Sequence, residues 1–280
     1  MNDLNPSQRE AVRHLEGPLL VLAGAGSGKT RVITAKIAHL IEQGGVAARH
    51  ITAVTFTNKA AREMKGRVGK LLDAQAGRGL SISTFHTLGL NILRRELKAA
   101  GLRAGFSIFD EQDVEQLLRE LTKKNEADKD TLQRARWQIS AWKNDLIDPD
   151  AAQGSASNEF ESFYAALYGA YQRALRVYNA VDFDDLILLP VSLLRSDPAL
   201  RERWQNRIRY MLVDEYQDTN GAQYELVKLL VGVRGALTVV GDDDQSIYAW
   251  RGARPENLAR LRDDFPHLHV IKLEQNYRST

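Results

Sequence analysis

The sequence predicts an α/β fold, in which a parallel sheet is flanked by helices and an all-helical segment is inserted in the chain. Short apolar runs alternate with helix-period segments in the first third of the 280 residues. Similar runs return in the last third, whereas residues 88–194 show only helical periodicity. Strands that alternate with helices indicate a parallel sheet with right-handed crossovers.

Six short apolar runs are the expected strands. They are residues 18–23, 51–56, 80–84, 210–213, 237–240 and 269–273. After the first run, apolar residues from Val32 to Ile41 recur at helical spacing, and Gly44-Gly45 marks the end of that helix. In the middle segment the helical spacing is clearest at 114–121 and 160–171, and residues 154–158 are expected to form an exposed turn.

Composition excludes several classes of protein. The chain has no cysteine, which excludes a disulfide scaffold, thiolate zinc ligands and a thiol nucleophile. It has no run of about 18 apolar residues and no signal-peptide pattern, so we expect a cytoplasmic protein. The formal net charge of +2 divides into +6 for residues 1–84, −3 for 85–195 and −1 for 196–280. A basic first third indicates a polyanionic partner, although ordinary surface variation explains it equally well.

A phosphate-binding loop follows the first expected strand. Residues 23–30, AGAGSGKT, match the phosphate-loop pattern except that Ala23 replaces the usual first glycine. Glycines let consecutive N–H groups face one anion at the positive end of the next helix. Lys29 is suited to the β- and γ-phosphates, and the Thr30 hydroxyl to Mg²⁺. The predicted nucleotide-binding residues here are Leu22, Ala23, Gly24, Ala25, Gly26, Ser27, Gly28, Lys29, Thr30 and Arg31.

Two adjacent acids supply the other half of a nucleotide site. Asp214 and Glu215 follow the expected strand at 210–213, at the edge where open α/β sheets bind ligands. Asp214 is the candidate Mg²⁺ ligand, and Glu215 is the candidate group that polarises the water attacking the γ-phosphate. A solvated acidic turn is the alternative, but the phosphate loop favours the site. The expected cofactors are ATP and Mg²⁺.

Further blocks discriminate among phosphate-loop proteins. They are LNPSQ at 4–8, TFTNKAA at 55–61, TFHT at 84–87, DEYQD at 214–218, GDDDQSIYAWRG at 241–252 and LEQNYRS at 273–279. Together these blocks, which span essentially the whole chain, resemble superfamily-1 DNA helicases of the UvrD/Rep type. The resemblance implies two RecA-like domains that clamp ATP and step along single-stranded DNA from 3′ to 5′. It implies that residues 1–84 and 196–280 form the first RecA-like ATP-binding domain, with 85–195 as its inserted helical subdomain.

The resemblance also implies roles around the nucleotide. Gln8 is expected to read the adenine and Tyr277 to stack on it, although a surface glutamine and ordinary packing are the alternatives. Gln245 is expected to sense the γ-phosphate, and Arg278 to be the arginine finger that neutralises transition-state charge. The predicted catalytic set is Lys29, Asp214, Glu215, Gln245 and Arg278.

Aromatic rings and positive charges are expected to hold DNA. By the same resemblance, Phe56, Tyr248 and Trp250 stack on bases, a contact worth about 1–3 kcal/mol per base in any sequence. On its own, Phe56 at the end of an apolar run is better explained as core. The candidate backbone contacts, each with a solvated surface as its alternative, are Asn58, Lys59, Thr84, His86 and Arg251. The expected partners are single-stranded DNA and its junctions with duplex, with replisome or repair proteins as further candidates and no membrane.

Other notable residues are assigned to structure. The tryptophans expected to pack in helices are Trp137, Trp142 and Trp204. The acids expected to cap the helix after residue 185, rather than to bind a metal, are Asp182, Asp184 and Asp185.

The chain ends shortly after Arg278, before the second motor domain that the resemblance implies. We therefore expect an N-terminal part of a longer helicase, which binds ATP and DNA weakly, hydrolyses ATP poorly and does not unwind duplex alone. Two other functions stay open. A phosphate-loop ATPase that acts on proteins would ignore single-stranded DNA, and an inert DNA-binding or docking module would be insensitive to Lys29→Ala.

Overall fold

The computed structural model describes residues 3–24, 26–123, 127–242 and 256–273, without the side chains of 257–259. The chain divides into two compact units. The first comprises Met1–Leu88, Asp197–Asn220 and Val227–Thr280, and the second comprises Gly89–Ser196 and Gly221–Leu226. The assignment of the chain to a motor domain (1–84 and 196–280) and an inserted subdomain (85–195) stays a prediction.

A six-stranded sheet forms the centre of the first unit. Its strands are β1 (Leu19–Ala23), β2 (Ile51–Thr55), β3 (Ser81–Thr84), β6 (Tyr210–Val213), β7 (Leu237–Gly241) and β8 (His269–Leu273). They lie in the order β3-β2-β6-β7-β1-β8, and every neighbouring pair is parallel. All six predicted strands are present, and the predicted α/β class with a parallel sheet is confirmed.

The central strands are buried along almost their whole length, because every residue of β2, β6 and β7 is buried. A parallel strand covered on both faces has a continuous apolar sequence rather than an alternating one. This is why short apolar runs predicted the strands. The helices of the first unit are α1 (Pro6–Arg13), α2 (Lys29–Glu42), α3 (Asn58–Gly69), α10 (Pro198–Arg207) and α12 (Glu256–Asp264). Two more helices, α4 (Phe85–Arg95) and α11 (Gly221–Val231), have residues in both units.

The second unit is built mainly from helices. They are α5 (Glu111–Leu121), α6 (Lys129–Asn144), α7 (Pro149–Ser155), α8 (Glu159–Tyr178) and α9 (Asp185–Ser196). The prediction that this part is all-helical is wrong, since β4 (Ser107–Phe109) and β5 (Ala180–Asp182) pair in parallel. Strands of three residues are too short to show a period, and β4 is largely exposed. Only the pairing of residues far apart in sequence creates this small sheet.

A buried ion cluster holds α6 against the start of α9. Lys143 Nζ lies 2.6 Å from Asp182 Oδ2 and 2.9 Å from Asp185 Oδ1, and the lysine side chain is fully buried. Burial alone would lower the pKa of Lys143, but the two carboxylates hold it above its usual value. Asp182 Oδ1 also accepts from the N–H of Asp185 at 2.9 Å. The predicted helix cap is therefore confirmed for Asp182, whereas the buried lysine was not anticipated.

Two predictions about the helices need correction. Trp142 and Trp204 are buried, as expected, but Trp137 is 59% exposed on α6 and does not pack in the core. Trp142 lies five positions after Trp137, which places the two side chains about 140° apart around the helix. The expected turn at residues 154–158 is shorter, because Gly154 and Ser155 end α7 and Asn158 already caps α8. No helix in the described part of the chain is long and apolar enough to span a bilayer.

Candidate nucleotide-binding site

The carboxyl ends of β1, β7 and β6 lie side by side, because β7 pairs with both of the other strands. The phosphate loop follows β1, Asp242 follows β7, and Asp214 and Glu215 follow β6. Ligands of open parallel sheets bind at this edge. The topology thus brings together the loop and the acids that the sequence placed in one site.

The described part of the loop is shaped for an anion. Gly26 and Gly28 have φ values of 80° and 87°, in the left-handed region that glycine adopts without strain. Ser27 closes the turn by donating its hydroxyl to the carbonyl of Gly24 at 2.7 Å. The N-cap residue of α2 is Gly28, which has no side chain to accept from the first N–H groups of the helix, and such groups bind anions at the positive end of a helix.

Lys29 joins the loop to the acids. Its Nζ lies 3.3 Å from Glu215 Oε2 and 3.9 Å from Asp242 Oδ2, and only 11% of the lysine side chain is exposed. Asp242 lies within the GDDDQSIYAWRG block, but the sequence predicted no role for it. The ammonium group therefore lies between the phosphate loop and these two acids.

Asp214 is buried at the end of β6. Burial raises the pKa of its carboxyl to about 7, and the neighbouring charge of Glu215 adds to this effect. The described residues contain no group of three or more metal-ligating side chains that could hold an ion alone. Mg²⁺ is commonly held by one or two carboxylates together with phosphate oxygens and water. A carboxylate and a hydroxyl are oxygen ligands of that kind, so Asp214 and Thr30, in the first turn of α2, stay the predicted ligands of an ion that arrives with a nucleotide.

Glu215 adopts a conformation that is rare for its residue type. Its φ of 50° places it in the left-handed region, which costs roughly 1–2 kcal/mol for a residue other than glycine. The side chain is 39% exposed, and its Oε2 accepts from Gln217 Nε2 at 2.8 Å. Strain of this kind is found at functional sites where the surroundings enforce it. Gln217 was not predicted as a site residue, although it lies within the DEYQD block.

Gln8 lies against the phosphate loop. Its side chain is buried, its Nε2 donates to the carbonyl of Ser27 at 3.0 Å, and its Oε1 accepts from the N–H of Asn5 at 3.0 Å. A Cβ at Gly28 would lie 2.7 Å from Gln8 Nε2, so the two residues are in close contact. Gln8 is thus not the surface glutamine considered as its alternative, while the adenine-reading role stays a prediction.

Three candidate DNA residues lie after β2, the strand that pairs with β6. Phe56 is half-buried and packs edge-on against Phe85, with ring centroids 5.4 Å apart. Asn58 and Lys59 are exposed in the first turn of α3. Phe56 therefore belongs partly to the core, as its position in the apolar run indicated, and presents the rest of its surface at the sheet edge.

The other described candidates for DNA contact differ in accessibility. Thr84 is buried, and its hydroxyl lies 3.1 Å from Thr87 Oγ1 and accepts from the N–H of Thr87 at 3.2 Å. The Thr84 hydroxyl is therefore occupied in starting α4, and its predicted contact with DNA needs that arrangement to change. His86 is half-buried in the same helix.

Of the remaining predicted site residues, some lie within the part of the chain that the structure describes and others lie outside it. Leu22 is in β1, opposite Gly241 and Lys272 of the adjoining strands. Arg31 is half-exposed and lies 3.5 Å from the carboxylate of Asp3. The predicted residues that lie outside the described part of the chain are Ala25, Gln245, Tyr248, Trp250, Arg251, Tyr277 and Arg278.

Comparison with known proteins identifies the family of the chain. A family model described as UvrD/REP helicase N-terminal domain matches residues 4–266. The chain is 63% identical over 278 residues to the ATP-dependent DNA helicase Rep of Escherichia coli (strain K12), with 99% of this chain and 41% of that protein covered. It is 46% identical over 282 residues to the ATP-dependent DNA helicase PcrA of Staphylococcus aureus (strain Mu50), with 100% and 38% covered. The chain thus spans about two fifths of the length of these relatives. Since the family match extends over nearly all of the chain, the protein belongs to the UvrD/REP helicase family and contains its N-terminal domain.

Proposed function

We propose that this chain binds Mg-ATP and single-stranded DNA as the first motor domain of a 3′-to-5′ DNA translocase or helicase of replication or repair. The observation that carries the proposal is the contact of Lys29 Nζ with Glu215 Oε2 at 3.3 Å, which joins the phosphate loop to the acid pair. The printed names of the relatives, ATP-dependent DNA helicases, support the same activity.

The proposal gives each described residue at the site a task. The amides at the start of α2 and the ammonium of Lys29 bind the β- and γ-phosphates. Asp214 and Thr30 hold Mg²⁺, which offsets phosphate charge when it is bound. Glu215 accepts a proton from water as the water oxygen bonds to the γ-phosphorus. The bond from that phosphorus to the β–γ bridging oxygen then breaks, and ADP leaves.

The DNA track is proposed to lie beside this pocket. Phe56 follows β2, and the N–H of Asp214 donates to the carbonyl of Val54 in that strand at 3.0 Å. The metal-binding acid and the base-stacking ring are thus joined by a short stretch of paired backbone. A motor needs such proximity, because events at the γ-phosphate must change the grip on DNA.

The proposal is tested by ATP hydrolysis with and without single-stranded DNA, in this chain and in a protein of its relatives' full length that carries it. We expect stimulation by DNA in the longer protein. Glu215→Gln should lower the rate by about 10²–10⁴ while nucleotide binding persists, because it removes only the proton acceptor. Glu202→Gln, at an exposed position of α10, is the matched control.

Three outcomes contradict the proposal. Hydrolysis that ignores DNA in the longer protein favours an ATPase acting on proteins. Nucleotide binding that survives Lys29→Ala unchanged favours an inert module. Fast, processive unwinding by the 280-residue chain alone overturns the expectation that one motor domain is insufficient.

A further inference from the structure

We infer that Gln217 is a positioning residue for ATP hydrolysis: its side chain locks the carboxylate of Glu215 to the backbone at the end of β7. This inference rests on the proposed function, because it concerns the residue that is to accept the proton of the attacking water. Gln217 itself touches neither nucleotide nor water in this scheme and acts through Glu215.

Both ends of the Gln217 side chain are engaged. Nε2 donates to Glu215 Oε2 at 2.8 Å, and Oε1 accepts from the N–H of Asp242 at 3.0 Å. The amide orientation follows from chemistry, because a backbone N–H can only donate and a carboxylate can only accept. Turning the amide over would break both bonds, and only 2% of the residue is exposed. Gln217 therefore holds one orientation and bridges the ends of β6 and β7.

The backbone at Gly241 is adapted to this bridge. A Cβ at Gly241 would lie 2.9 Å from Gln217 Oε1 and 3.4 Å from the Gln217 backbone N. The φ of Gly241 is not in the left-handed region, so backbone conformation does not require glycine there. A Cβ there would have to displace the Gln217 amide, so glycine leaves room for the contact, which is a second sign that it is built into the fold.

Glu215 needs such support once a nucleotide binds. Its Oε2 has two partners, Gln217 Nε2 and Lys29 Nζ. Lys29 is to engage the phosphates, which leaves the Gln217 bond to hold the carboxylate. Its other oxygen, Oε1, has no hydrogen bond or ion pair among the described residues and is free to accept the proton of water. Gln217 thus presents the correct oxygen and restrains a side chain that is 39% exposed.

The test separates positioning from folding. Gln217→Met keeps the length of the side chain and removes both hydrogen bonds, whereas Gln217→Glu can still accept from Asp242 but cannot donate to Glu215 when ionised. The matched control is Gln205→Met, because Gln205 Nε2 also bridges elements of the first unit by donating to the carbonyl of Leu229 at 2.8 Å. Each variant is assayed in the longer protein for single-turnover hydrolysis, for the affinity of a non-hydrolysable ATP analogue, and for thermal stability.

We expect both Gln217 variants to lower the single-turnover rate by about 10–100-fold, as misplacing a catalytic group does, with analogue affinity within threefold of wild type. Gln205→Met should lower the melting temperature without a comparable loss of rate. Hydrolysis within twofold of wild type in Gln217→Glu, or a parallel loss of rate and affinity in both Gln217 variants, overturns the inference. If the wild type neither binds the analogue nor hydrolyses ATP, the proposed function has failed instead.

Discussion

Replacing Lys143 by methionine should strongly destabilise the second unit. The side chain is fully buried, and its Nζ lies 2.6 Å from Asp182 and 2.9 Å from Asp185. Methionine preserves most of the apolar stem but removes the charge, so two buried carboxylates lose their cation. Removing one partner of a buried ion pair costs about 3–5 kcal/mol, which is the expected loss in the free energy of unfolding near pH 8.

The loss should shrink as the pH falls. Burial raises the pKa values of Asp184 and Asp185 to about 6, and the charge of Lys143 opposes that rise. Asp182 is buried too, but Lys143 keeps its pKa below the usual value. Without the lysine, all three acids should bind protons more readily in the folded protein than in the unfolded one. A raised carboxyl pKa lowers stability as the pH rises, so the variant recovers by about 1 kcal/mol or more at pH 5.

Urea unfolding followed by tryptophan fluorescence measures this effect. A slope of about 1–3 kcal/mol per molar urea converts the expected loss into a midpoint shift of more than about 1 M. Lys129→Met is the control, because Lys129 is exposed in the first turn of the same helix and should change stability by less than about 0.5 kcal/mol. A loss below about 1 kcal/mol at pH 8, or a larger loss at pH 5 than at pH 8, would refute the reasoning.

Three further predictions concern the site. Gly28→Ala should weaken binding of a fluorescent ATP analogue, because the φ of Gly28 is 87° and a Cβ there would lie 2.7 Å from Gln8 Nε2. The control is Gly45→Ala, which should leave binding unchanged, because Gly45 has a φ of 64° but open space around it; equal effects would contradict the role of the loop. Phe56→Ala should weaken single-stranded DNA binding by about 1–3 kcal/mol in a filter-binding titration, with exposed Phe160→Ala as control and unchanged affinity as the contrary result. Asp214→Asn should raise the melting temperature measured without Mg²⁺, and by more at pH 8 than at pH 5. Burial raises the pKa of the Asp214 carboxyl to about 7, so its ionised form destabilises the folded protein, and a gain independent of pH would contradict this origin.

Local sequence patterns were sufficient to predict the six strands and the two halves of the candidate nucleotide site. β2 and β6 are covered on both faces, so their sequences are continuous apolar runs that can be recognised without a partner. The phosphate loop and the acid pair lie directly after such runs. In a parallel sheet the ends of strands share an edge, so recognising the strands was enough to place Lys29 near Glu215.

The sequence by itself determined the α/β class, the positions of six strands and the groups that follow them, because each is encoded within a few consecutive residues. Only the tertiary structure decided which distant side chains meet. Lys143 and Asp182 are 39 residues apart, and the amide of Gln217 reaches the backbone of Asp242 across 25 residues. Such contacts leave no periodic signal, since a buried polar group is stabilised by a specific partner and not by its place in a pattern. For the same reason Trp137 could not be distinguished from Trp142 until the packing of their helix was known.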